Sequence, residues 1–299
     1  MKILSFGSMN IDNTYSVDEF VQPGETITAK NLSKFCGGKG LNQSIALASA
    51  GADVAHFGCV GEDGDILLDM LKSRGVNTDS VIKIDNITSG HAIIQVDSHG
   101  QNSILLYPGA NRRMTPELID RELEKYSCGD WLLIQNETNC LEYIMRAANK
   151  KGMKIAFNPS PMDGTVSTLP LELVDLFLVN EIEGAAVTGK EITEEITAEF
   201  KKLFPNAAVI LTLGKKGSIF KSEKDMLFQP SYCGTVKDTT GAGDTYTGFF
   251  IANYIKGVSP QECMRIAAMS STVQISRDGA AIAIPTKQEV LNALKNHCR

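Results

Sequence analysis

From about residue 115 onward the chain alternates short apolar runs with longer amphipathic ones, and this alternation narrows its fold more than any other feature. The spacing predicts a helix over 116–126, a strand over 131–135, a helix over 141–151 and a strand over 154–158. Further strands are expected at 175–179 and 208–213. Upstream, 2–8 reads as a first buried strand and 54–60 as another, followed by a helix over 63–74 and a strand after Val76. Strands and helices in alternation specify an α/β fold with a mainly parallel central sheet and helices on both faces, a three-layer sandwich.

Residues 14–35 break this pattern with short polar–apolar alternation around Pro23-Gly24. Strands are expected at 14–20 and 26–35, and a hairpin at 91–96 and 102–107. They are too short, and too polar on one face, to fold alone, so they should project as a lid. The expected body is 1–13, 36–90 and 108–299, and the expected lid is 14–35 with 91–107.

Ligands of such sheets gather at the carboxyl ends of the strands. Glu137, Asn158, Asn180, Glu183, Thr212 and Gly214 all fall there. Polar strand ends are common in any α/β protein, so the weight lies in their convergence on one edge. Asn10 and Asp12, after the first strand, alternate onto one side of an extended chain, although turn chemistry places the same residue types there.

At 299 residues the chain is long enough for two domains or one large α/β domain. Its net charge of −6, without clustered Lys and Arg, argues against a nucleic-acid surface. Cys36, Cys59, Cys128, Cys140, Cys233, Cys263 and Cys298 are scattered singly, with no C-x-x-C pair. That pattern suits reduced thiols in a cytoplasm, neither a disulfide framework nor a zinc site. The first apolar run is too short for a signal peptide, and no stretch reaches membrane-spanning length.

The stretch from Asp238 to Tyr246 reads DTTGAGDTY and runs into an apolar helical segment, so Gly241-Ala242-Gly243 sits where a helix begins. Unpaired N–H groups and the positive dipole end there suit an anion. Asp244 would be held beside that anion, which is repulsive unless the carboxylate moves a proton. An acid that merely caps the helix fits the same segment. A second glycine cluster, Cys36-Gly37-Gly38-Lys39-Gly40-Leu41-Asn42-Gln43, opens another helix with Lys39 and Asn42 as polar donors. Two decoys fall away. Gly58 to Gly64 has G-x-x-G-x-x-G spacing and not the dinucleotide fingerprint, and Gly184 to Lys190 lacks the Ser or Thr of a phosphate loop, so Gly189 reads as a helix C-cap.

DTTGAGDTY closely resembles the C-terminal signature of the ribokinase-like (phosphofructokinase-B type) carbohydrate kinases, and GGKG-x-NQ resembles their sugar-binding signature. The resemblance covers Gly7 to Pro285. It implies that Asp244 is the catalytic base and that the Gly241, Ala242 and Gly243 amides form an anion hole for the transferred phosphate. It implies sugar contacts from Asn10, Asp12, Gly38, Lys39, Asn42 and Glu137. Asn180 and Glu183 would lie near the phosphates and Mg²⁺, with Gly243, Thr212, Gly214 and Gly217 around the nucleotide. A monovalent cation, K⁺, would be bound by backbone carbonyls of the loop that includes Gln274, Arg277 and Gly279, with Asp238 and Thr240 of the signature. The chain departs from the family pattern at Leu41, where relatives usually carry Ala, at Ala283, which lacks an oxygen often found there, and at Ala268.

The resemblance therefore implies ATP-dependent phosphorylation of a sugar primary hydroxyl, with D-ribose to ribose 5-phosphate as first choice, ATP and Mg²⁺ as cofactors and K⁺ besides. It also implies a homodimer joined through the lid strands. The alternatives are a kinase for another sugar or a nucleoside, a binding regulator that has lost turnover, and a dehydrogenase.

Overall fold

The computed structural model describes residues 1–297; Cys298 lies outside the described residues. The elements in chain order are β1 (Ile3–Phe6), β2 (Asn10–Ser16), β3 (Asn31–Gly37), α1 (Lys39–Ser49), β4 (Val54–Val60), α2 (Asp65–Ser73), β5 (Val81–Lys83), β6 (Gly90–Val96) and β7 (Asn102–Tyr107). There follow α3 (Pro116–Leu123), β8 (Trp131–Gln135), α4 (Leu141–Lys150), β9 (Lys154–Asn158), β10 (Leu176–Asn180), α5 (Glu181–Thr188), α6 (Thr193–Leu203) and β11 (Ala208–Thr212). The chain ends with β12 (Ser218–Lys221), β13 (Met226–Gln229), α7 (Ala242–Tyr254), α8 (Pro260–Gln274) and α9 (Lys287–His297).

Among the described residues, nine strands form one sheet in the order β13-β12-β11-β10-β9-β8-β1-β4-β5. All neighbours from β11 to β5 are parallel, and β12 and β13 close one edge antiparallel. The alternation of side chains explains why the sheet is covered on both faces. Ile3, Leu133, Ala156, Leu178 and Ile210 enter one core with α1, α7 and α8. Their neighbours Leu4, Leu132, Phe157, Val179 and Leu211 enter the other with α3, α4 and α6. Strands buried on both sides must be apolar at successive positions, and these are.

The small sheet runs β3-β2-β6-β7. It begins at Asn10, not Thr14, because Asn10 pairs with both Gly37 and Gly90, so residues 10–13 belong to this sheet and not to the body. The expected strand from 26 starts only at Asn31. Ser16 and Asn31 are the last pair of β2 and β3; Lys30 N still reaches Ser16 O at 2.8 Å, and residues 26–29 lie outside the ladder. Gly189 caps α5 in the left-handed conformation at φ 69°, as expected of a helix stop.

α7 is buried from Asp244 to Asn253 and lies against α1 and α8. Gly248 makes the crossing with α1 close, since a Cβ there would stand 2.4 Å from Ala46 Cβ and 2.7 Å from Leu47 N. Backbone cannot give way as a side chain tip can. Gly248→Val is therefore expected to lower the melting temperature through an overpacking cost of about 1–3 kcal/mol, which the small gain in helix propensity over glycine does not offset. Calorimetric unfolding of the variant at wild-type stability would show that the crossing is looser than this packing implies.

Candidate active site

The close crossing of α7 and α1 brings Asp244 to the first turns of α1. Asn42 Nδ2 donates to Asp244 Oδ2 at 3.1 Å and Gln43 Nε2 to Oδ1 at 2.9 Å, with Lys39 Nζ 3.7 Å from Oδ1. Gln43 is itself fixed: its Oε1 accepts from Gln135 Nε2 at 2.7 Å, and its Nε2 also donates to Asn158 Oδ1 at 3.1 Å. Gln43 was not among the expected site residues. Its signal was present, an amide next to Asn42 on a helix with little polar business in a core, where it is fully buried. Burial alone would push Lys39 down, but Asp244, Glu137 and Glu183 outweigh it and hold the ammonium above its ordinary pKa.

Glu137 joins the two ends of the site. Its Oε2 accepts from Lys39 N at 2.9 Å and from the Ser8 hydroxyl, while burial raises its pKa despite these donors. Asp12 stands on β2 opposite Phe35, with its carboxylate turned towards Gly37. Any Cβ on Gly37 would collide with Asp12 Oδ2 at 2.0 Å, so glycine is what leaves room for the carboxylate. Burial, then the charge of Glu137, pushes Asp12 up to about 7. Asn10 is oriented by a residue outside the expected set: Asn111 Nδ2 donates to Asn10 Oδ1 at 2.8 Å, and Asn111 Oδ1 accepts from Met9 N at 3.0 Å. Gly38, at φ 93°, turns the chain into α1.

The raised Asp12 has a consequence for stability. Its folded pKa exceeds the unfolded value of 3.8, so its contribution is favourable at low pH and is lost as pH rises through about 7. Asp12→Asn removes that loss. The variant should melt above wild type by a margin that grows between pH 4 and pH 8; a constant margin across that range would mean the carboxylate is not perturbed.

Across the strand ends, Asn158 closes β9, Asn180 closes β10 and Thr212 closes β11. Asn180 and Glu183 form a capping box, with Glu183 N on Asn180 Oδ1 at 2.8 Å and Asn180 N on Glu183 Oε2 at 3.1 Å. Asn158 Nδ2 reaches Glu183 Oε2 at 3.3 Å. Lys39, Asn158, Asn180, Glu183, Thr212 and Gly243 line one cavity of about 70 Å³. A Cβ on Gly243 would meet nothing within 4 Å, so the start of α7 is open on that side. Ala242 N, by contrast, already closes a turn onto Thr239 O at 3.2 Å. Gly214 (φ 54°) and Gly217 (φ 122°) shape the turn from β11 to β12 and do not line this cavity. Leu41 is fully buried in the core and Ala268 nearly so.

Among the described residues no group of three or more His, Cys, Asp and Glu side chains comes together to cage a metal. Mg²⁺ does not need one, since it is commonly held by one or two carboxylates with phosphate oxygens and water. Glu183 on the cavity wall fits that donor set. The monovalent-cation residues fare differently. Asp238, Thr240, Gln274 and Gly279 do converge, with Thr240 N at 2.8 Å and Gly279 N at 3.0 Å each donating to one Asp238 oxygen. Burial raises Asp238, but these hydrogen bonds outweigh it and leave its pKa lowered. The Gln274 amide donates to the Thr240 and Gly279 carbonyls. These groups do not present an open oxygen cage.

Residues 1–287 match the pfkB family carbohydrate kinases. A ribokinase of Haemophilus influenzae is 33% identical over 298 residues, covering 97% of this chain and 97% of that protein. The structure of a Thermotoga maritima ribokinase superposes with a TM-score of 0.88 at 31% identity, over 98% of this chain and 99% of the other. An Arabidopsis thaliana ribokinase, solved in complex with ribose and ATP, gives 0.86 at 29% identity over 98% of each chain. With the parallel sheet, the two glycine-led helices and the carboxylate between them, the chain belongs to the pfkB family of carbohydrate kinases.

Proposed function

We propose that this kinase transfers the γ-phosphate of ATP to the 5-hydroxyl of D-ribose, giving ribose 5-phosphate. The observation that carries the reading is Asp244, a buried carboxylate in the first turn of α7, held by Asn42 and Gln43 beside the Lys39 ammonium, with Lys39 and Gly243 on either side of it lining the cavity at the strand ends. The carboxylate has lone pairs beyond those two hydrogen bonds, so it can accept the proton of an attacking hydroxyl. Lys39 and the amides at the start of α7 offset negative charge as it develops on the transferred phosphate. Asp12, Asn10, Gly38, Asn42 and Glu137 form the sugar end, and Asn180, Glu183, Thr212, Gly214 and Gly217 the nucleotide end. Mg²⁺, when bound with ATP, neutralises phosphate charge, and Glu183 with Asn180 would hold it. K⁺ is the one member of the expected cofactor set that the residues do not fit.

The small sheet serves as a lid over the sugar, excluding water from the transfer. We place the protein in the cytoplasm, where its free cysteines stay reduced. No helix among the described residues is long and apolar enough to cross a membrane. The partner is a second copy of this chain. The edge strand β7 is exposed along its whole length, with Ile104 at 58% and Leu105 at 66%, and Leu32, Phe35 and Ile93 add apolar surface on the same sheet. Leu105→Lys should convert a dimer into a monomer in light scattering; an unchanged mass would move the interface elsewhere.

A panel of pentoses, hexoses and nucleosides in an ATP-consumption assay tests the function. Ribose should give the highest kcat/KM. Preference for another sugar or a nucleoside would reassign the substrate, and no ATP consumption with any of them would leave only a binding role.

A further inference from the structure

The loop from Gly279 to Ile284 packs against the turn that starts α7, where a Cβ on Gly241 would lie 3.2 Å from Ala280 Cβ. Carbonyl oxygens from separate segments converge here and repel one another unless something positive lies between them. In this chain protein donors do. Gln274, at the end of α8, sends Nε2 to Thr240 O at 2.5 Å and to Gly279 O at 3.3 Å. Ala280 O accepts from Ala283 N at 3.1 Å. The Arg74 guanidinium, reaching across from the end of α2, takes Ala281 O at 3.0 Å, Ile282 O at 2.9 Å and Ile284 O at 3.3 Å. Arg277 Nη1 reaches Ala283 O at 3.5 Å. Every carbonyl from Gly279 to Ile284 thus has a donor from the chain itself.

We propose that the Gln274 amide stands in for a monovalent cation, tying Thr240 to Gly279 and fixing the Gly241 turn, so that the enzyme works without K⁺ or Na⁺. An amide nitrogen carries two N–H donors, enough to satisfy two carbonyls from different segments at once. The orientation follows from the neighbours, because an oxygen turned inward would face two acceptors. The nitrogen occupies the point where the carbonyls meet, so this amide and a cation exclude each other. Oε1 is buried without a protein partner, which marks the side chain as held by its nitrogen. Ala283, in turn, brings no side-chain oxygen that a cation would use. Arg74 adds a full positive charge to the same loop.

The activity half of the test rests on the kinase reading; the melting half does not. Wild type, Gln274→Ala and Gln274→Ser are compared in KCl, NaCl and tetramethylammonium chloride at one ionic strength. Wild-type kcat/KM should differ by less than about fivefold across the salts, the lower end of ordinary coupling between sites, and its melting temperature should not respond to K⁺. The variants should lose about fivefold or more in tetramethylammonium and recover in K⁺, which should also raise their melting temperature, as binding to the folded state must. Activation of wild type by K⁺ would overturn the proposal, showing that the amide yields its place or turns its oxygen to the ion. So would variants indifferent to salt, or folded variants inactive in every salt. If the variants do not fold, the wild-type rates and melts decide. If no protein consumes ATP, the kinase reading has failed and the melts decide alone.

Discussion

Asp244→Asn is expected to lower kcat by roughly 10²–10⁴-fold, the range for losing a positioned general base, while ATP and sugar still bind. The fold should survive. Asn42 Nδ2 and Gln43 Nε2 both donate to the carboxylate, so an amide at 244 would turn its own NH₂ towards one of them. Gln43 cannot adapt, being fixed on both sides by Gln135 and Asn158. Asn42 can, because its Oδ1 is buried without a partner, and a flip of that amide offers an acceptor to the new donor. The variant then keeps its hydrogen bonds and loses only the place for a proton. Calorimetry should give near-wild-type affinity for sugar and for a nonhydrolysable ATP analogue, with single-turnover rates carrying the loss. Near-normal turnover in the folded variant would remove Asp244 from the base role.

The same pair of helices shows what was legible in the sequence. Glycine clusters ahead of apolar helical segments mark helix starts, and helix starts are anion sites for reasons local to the backbone, so Gly241 to Asp244 and Gly38 to Asn42 could be read directly. The parallel sheet was equally readable, because strands such as 131–135 and 154–158 lie between well-separated helices. What escaped was whatever depends on a partner far along the chain. Gln43 has its role only through Gln135, Asn158 and Asp244, all far along the chain. Asn111 owes its importance to Asn10, 101 residues earlier in the chain. The strand from Asn31 is displaced from its expected start because its register is set by where β2 runs out, and alternation alone carries no register. β12 and β13 are four residues each, with Met226 and Phe228 exposed, so neither length nor alternation announced them. Gln274 was readable as a position in the loop, but its effect turns on which end of an amide points inward.

Asp12→Ala should separate stability from function at the sugar end. In the free protein this carboxylate is a burden: burial and Glu137 raise its pKa to about 7, and no donor among the described residues meets it to compensate. Alanine relieves that strain, so the variant should melt higher than wild type at pH 8, the opposite of what a misfolded variant would do. Sugar hydroxyls are the donors that would justify the carboxylate, since it can accept from two adjacent ones. Removing it leaves those hydroxyls unpaired at a cost of about 1–3 kcal/mol or more. It also leaves the sugar less well aimed, so kcat/KM should fall further than affinity alone. The sign of the pH effect follows from the same pKa. The carboxylate form is the acceptor, so wild-type affinity for sugar should weaken as pH falls below about 7, and the variant should lose that dependence. Nucleotide affinity should be unchanged, because Asn180, Glu183 and Thr212 approach from the other strand ends. A variant that melts higher, binds the ATP analogue and barely phosphorylates sugar would fit this division of the site. One that keeps sugar binding and loses the nucleotide would mean that the two ends of the site have been assigned in reverse.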